Sequence, residues 1–140
     1  MSDEVFAAGD TLVQELQNLE KAGYGKLQNL AGRQRALSQR MARDYFVMRI
    51  GDGSHWKTNG PAMRKQFGET LQALEAAPLT TAAIKDNLGL VKMQWMLFEE
   101  ALNNPGDEKS PAHVATTSER MFEVLDTLVD QYEHAMQALA

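Results

Sequence analysis

Ile84, Leu88, Val91, Trp95, Phe98 and Leu102 recur at alternating steps of four and three, a spacing that a helix gathers onto one face. Val114, Met121, Leu125, Leu128, Tyr132 and Leu139 repeat it, with Ser118 and Ala135 in the remaining positions of the seam. Phe67, Leu71 and Leu74 supply the inner face of a further helix. No stretch alternates apolar and polar residues over the length of a strand, so no sheet is expected.

Proline and glycine punctuation divides the chain into four segments. The first is expected from Asp3 to Arg49, stopping at Gly51-Asp52-Gly53-Ser54. Gly23 and Gly25 mark a place where it should loosen or kink, which separates a lead-in (residues 1–22) from the main domain (residues 23–140). The second is expected after Gly60, with Pro61 in its first turn, and ends before Pro78. The third covers about Thr80 to Asn103, capped by Thr80 or Thr81 and stopped by Asn104-Pro105-Gly106. The fourth runs from Ser110-Pro111 to the C-terminus. Short connections between amphipathic helices predict an all-α fold: an antiparallel up-down-up-down four-helix bundle with an elongated first helix.

Composition narrows the possible partners. At 140 residues and 44% hydrophobic, the chain is one domain with enough apolar material for a core. Its net charge of -5 argues against general affinity for nucleic acid or acidic lipid. There is no cysteine, hence no disulfide framework and no thiolate metal site. No apolar run reaches the roughly 18 to 20 residues that would cross a bilayer, and no signal-peptide pattern opens the sequence.

Against that acidic background the first helix is unusual. Lys26, Arg33, Arg35, Arg40 and Arg43 fall between Glu20 and Asp44 with no acid among them. Such a run lacks the nearby acids that normally form i to i+4 pairs, and it suggests an anion from outside the chain. One stripe of this helix (Leu27, Leu30, Gln34, Leu37, Met41, Asp44 or Tyr45, and Met48) should face the bundle, with Gln34 either meeting a buried partner or sitting at the edge. A second stripe holds Gln28, Ala31, Gly32, Arg35, Ser38, Gln39 and Ala42. Glycine inside a helix costs about 0.8 to 1 kcal/mol relative to alanine, so Gly32 calls for a close approach by another backbone or a ligand. Two copies meeting across Gly32 would bring two Arg35 side chains together, and a planar anion shared between the two forks would relieve their repulsion. Arg33, Arg40 and Arg43 lie on a third, outward face, where solvation or pairing with acids of another helix is the simpler expectation.

Asn29-Leu30-Ala31-Gly32-Arg33-Gln34-Arg35-Ala36-Leu37-Ser38-Gln39-Arg40-Met41 resembles the first-helix motif of the PilJ-like family, the N-terminal domain of type IV pili methyl-accepting chemotaxis transducers. Ala36 stands where that motif has methionine. Val114-Ala115-Thr116-Thr117-Ser118-Glu119-Arg120-Met121, continuing to Val124-Leu125 and Gln131-Tyr132-Glu133, is similar to the family's last helix, and Gln94-Trp95 with Phe98 fits its third. The resemblance spans about Leu27 to Met136. It implies a four-helix sensor module outside the cytoplasmic membrane (periplasmic in location), attached to a membrane receptor or kinase output and related to the nitrate and nitrite sensors of two-component kinases. In those relatives an anion sits between an arginine from each of two first helices. Their alanine-glycine-x-x-arginine pattern falls on Ala31, Gly32 and Arg35, which implies a ligand set of Arg35, Gly32, Ala31, Ala36, Gln39 and Gln28. Neither a transmembrane helix nor an output module is present in this sequence, so an excised sensor domain and a free-standing member both fit.

The remaining chemistry is sparse. His55, His113 and His134 are too scattered for a bundle metal site, and no nucleophile–base pair or phosphate-cradling loop occurs. No catalysis, cofactor or metal is expected. His55-Trp56 should pack over the end of the bundle, and the eight methionines read as core filling. Two readings of function follow: a sensor for nitrate or nitrite acting as a homodimer through its first helix, or a non-catalytic protein-interaction bundle whose basic stripe binds an acidic partner. A third, a bundle holding an organic ligand within one subunit, has less to support it.

Overall fold

The computed structural model describes residues 2–139. Four helices make up the described chain: α1 (Ser2–Arg49), α2 (Ser54–Ala76), α3 (Ala82–Asn103) and α4 (Ser110–Gln137), and no strand occurs among the described residues. Cross-helix contacts fix their directions. Gln28 bonds to Glu133 and Arg35 to Asp126, so α1 and α4 run antiparallel. Gln34 meets Phe67 while Tyr45 meets Trp56, which sets α2 against α1 the same way. Arg64 pairs with Glu99 and Lys92 with Glu75 between α2 and α3, and Asn87 bonds to Gln131 between α3 and α4. The fold is an up-down-up-down four-helix bundle.

The seams expected of the last three helices form the core. Phe67, Ile84, Val91, Phe98, Val114, Met121, Leu125, Leu128 and Tyr132 are fully buried, and Leu71, Leu74, Leu88 and Trp95 nearly so. Trp95 stacks on Phe67 with ring centroids 4.3 Å apart, joining α2 to α3. Gln34 is buried with them, and its Nε2 donates to the Phe67 carbonyl oxygen at 2.8 Å. Asn87 plays the same part on α3, donating to the Val124 carbonyl and to Gln131. A buried amide left without such partners would be costly, so each pair holds its helices at one register.

Two helix boundaries differ from expectation. First, α2 starts at Ser54, so Gly60 and Pro61 lie inside the helix and not at its start. The Asp52 carboxylate accepts from both the backbone N–H and the hydroxyl of Ser54, which turns the chain into a helix immediately. Gly60 accommodates a close approach there, the Trp56 indole lying 3.1 Å from where a Cβ would stand. Trp56 in turn packs edge-on to Tyr45 over the end of the bundle, while His55 stays exposed. Second, α1 runs unbroken through Gly23 and Gly25. Gly23 makes room for the Leu79 side chain, and the Met136 sulfur packs beside Gly25. The other helices therefore end at this level, and residues 9–20 of α1 project beyond them, all exposed except the half-buried Gln17.

Candidate functional site

The stripe Gln28–Ala42 lies along α4 and is partly covered by it. Ala31 and Ser38 are fully buried and Ala42 nearly so. Ala31 is thus turned into its own bundle, out of reach of a ligand at the surface, because the α1–α4 register brings α4 over this side of the helix. The Ser38 hydroxyl donates to the Arg35 carbonyl at 2.8 Å. Gln28 donates to the Glu133 carboxylate at 3.0 Å and to the Val129 carbonyl at 3.4 Å.

Arg35 is not an unpartnered cation. Its guanidinium donates to the Asp126 carboxylate at 2.5 Å and stands 5.8 Å from the centre of the Phe122 ring, one turn earlier on α4. The sequence expectation overlooked this because Asp126 is remote in the chain and enters only through the helix pairing. With the two side chains 35% and 54% exposed, such an ion pair contributes between about 0 and 1 kcal/mol. It orients the guanidinium without consuming it. Only one nitrogen is engaged, and the other donors of the fork meet no acceptor among the described residues.

Gly32, Ala36 and Gln39 form the outward edge of the same region. Ala36 and Gln39 are exposed, and a Cβ at Gly32 would meet nothing within 4 Å. An open depression of about 540 Å³ lies over this edge, lined by Gln28, Asn29, Gly32, Arg33, Arg35, Ala36 and Val129. Asn29, Arg33 and Val129 were not in the expected set. Arg33 and Asn29 sit beside Gly32 in the helix, so their presence was open to a reading of helical geometry alone. Val129 was not, since α4 supplies it.

Among the described residues Lys26, Arg33 and Arg40 form no ion pair. Arg43 stands 3.6 Å from its neighbour Asp44, and Arg49 donates to the Pro105 carbonyl. No helix among the described residues is long and apolar enough to cross a membrane, and no group of three or more potential metal ligands comes together among them. Comparison of the chain with known protein families, curated proteins and solved structures gives no match in any of the three.

Proposed function

We propose that this chain is a sensor module that binds nitrate or nitrite between two copies of its first helix. The observation that carries the reading is Arg35: a guanidinium held in place by Asp126, with most of its donors unspent, beside a helix surface left bare at Gly32. A planar oxyanion matches the unused edge of the fork. Phe46 adds to the case. It lies two heptads beyond Gly32 on the same side of α1, is 36% exposed, and would gain from burial against a second helix. The sequence resemblance points to the same dimer. By that resemblance the module would stand outside the cytoplasmic membrane and report to a receptor or kinase.

Signalling would be a population shift, in which the anion favours one relative position of the two α1 helices through its greater affinity for that state. The test is calorimetric titration with nitrate, nitrite and chloride, alongside sedimentation of the protein with and without each. A chain that stays monomeric and takes up none of the three refutes the reading.

Two observations favour the alternative, a protein-interaction bundle without a small ligand. Asp126 already balances the charge of Arg35, so no anion is required, and Leu90, Met93 and Leu97 leave an exposed apolar line on α3. Dimerisation without any anion response would favour it.

A further inference from the structure

Near the α3–α4 connection the two helices face each other through small residues. Ala101, Ser110 and Thr117 are all buried there. Both hydroxyls are spent internally, Ser110 Oγ on the Asn104 carbonyl at 2.5 Å and Thr117 Oγ1 on the His113 carbonyl at 2.6 Å. Elsewhere the same pair of helices is filled by Leu88, Leu125 and Leu128. The missing bulk leaves a half-enclosed hollow of about 390 Å³, within the range of small-molecule pockets.

The walls of this hollow carry unused chemistry of both signs. Glu100 comes from α3, and Thr116 and Arg120 from α4. Neither Glu100 nor Arg120 has an ion-pair partner among the described residues, and they do not pair with each other although they line one cavity. The second acid, Asp107, is already engaged by the Lys109 backbone N–H at 2.9 Å. Opposite charges that share a cavity without meeting leave space for a ligand carrying one of each.

We propose that this hollow is a binding site for a small zwitterion, an α-amino acid whose carboxylate meets Arg120 and whose ammonium group meets Glu100. The Thr116 hydroxyl supplies a further donor or acceptor, and Leu97, 44% exposed at the rim, offers apolar surface to the ligand's side chain. The site is independent of the anion reading, since it lies between α3 and α4 and shares no residue with the depression around Arg35.

The full chain is titrated calorimetrically with glycine, leucine, aspartate and lysine, each alongside its N-acetyl and amide derivatives. At least one free amino acid binds, and both of its derivatives bind about tenfold or more weakly, because each has lost one charge-assisted contact. Arg120→Gln weakens the free amino acid by a similar factor and leaves its amide unchanged. Glu100→Gln does the reverse, sparing the N-acetyl form. Both residues are exposed, so these variants keep the fold, and an unchanged circular dichroism melt verifies it. Arg35→Ala leaves amino-acid binding intact, which separates this site from the anion site. The proposal is overturned if none of the four amino acids binds, if an N-acetyl or amide form binds as well as the free amino acid, or if either variant binds like the parent.

Discussion

Arg35 and Tyr132 show how much depends on what surrounds a single side chain. If two first helices meet beside Gly32, Arg35→Ala removes the anion's partner and leaves the Asp126 carboxylate without its cation. The nitrate response should disappear. Arg40→Ala removes the same charge from an exposed position outside the depression and should leave most of the response in place; sedimentation with added nitrate compares the two, and equal weakening would mean a diffuse charge effect. Tyr132 makes a different point. Its hydroxyl is buried without a partner, and burial, with a smaller contribution from nearby Tyr24, pushes its pKa up to about 12. The folded state thus holds the phenol proton after the unfolded chain has released it. That contribution to stability is complete below pH 10 and is lost as pH rises from 10 to about 12. Tyr132→Phe should melt at or above the parent's temperature at pH 7, because no hydrogen bond is lost, and should lose less stability between pH 10 and about 12.

At the scale of the helix, position decides what a glycine or an aromatic residue contributes. Gly32→Ala adds a methyl group into open space, so the isolated chain should gain about 0.8 to 1 kcal/mol from helix propensity. The same methyl group would stand in the way of a second helix, so dimerisation should weaken while the melting temperature of the monomer rises. A tighter dimer would place the interface elsewhere. Trp95 is the opposite case, only 6% exposed and stacked on Phe67 between α2 and α3. Trp95→Ala should cost about 3 to 5 kcal/mol in urea unfolding, since α2 is tied to α1 by Gln34 and to α3 by Arg64 and cannot close the cavity. A loss below about 1 kcal/mol would contradict this packing.

Across the whole molecule the bundle and the projecting part of α1 are energetically separate. α1 has 48 residues and reaches about 72 Å at 1.5 Å per residue, whereas the longest of the other helices has 28. Leu12, Leu16 and Leu19 continue its bundle-facing stripe yet are 58%, 52% and 69% exposed, because no other helix extends that far. Removing the chain up to Glu20 should therefore move the melting midpoint by less than about 2 °C, measured by circular dichroism at 222 nm. A larger drop would mean that this segment packs on something. The sequence by itself determined the number of helices, the limits of α3, the start of α4 and the core seams, since periodicity and capping are local: Thr81, one of the two expected caps, caps α3 through the Ile84 N–H. It also singled out Gly32 and Arg35 as neighbours on one helix. The start of α2 escaped it because Gly60 is a breaker only until the Trp56 ring fills the space above it. Only the tertiary structure decided that Ala31 turns inward, that Asp126 meets Arg35, and that Glu100 and Arg120 share a hollow. These facts depend on the register between helices far apart in the chain, which loop lengths and buried amides such as Gln34 and Asn87 set, and which no periodicity within a helix contains.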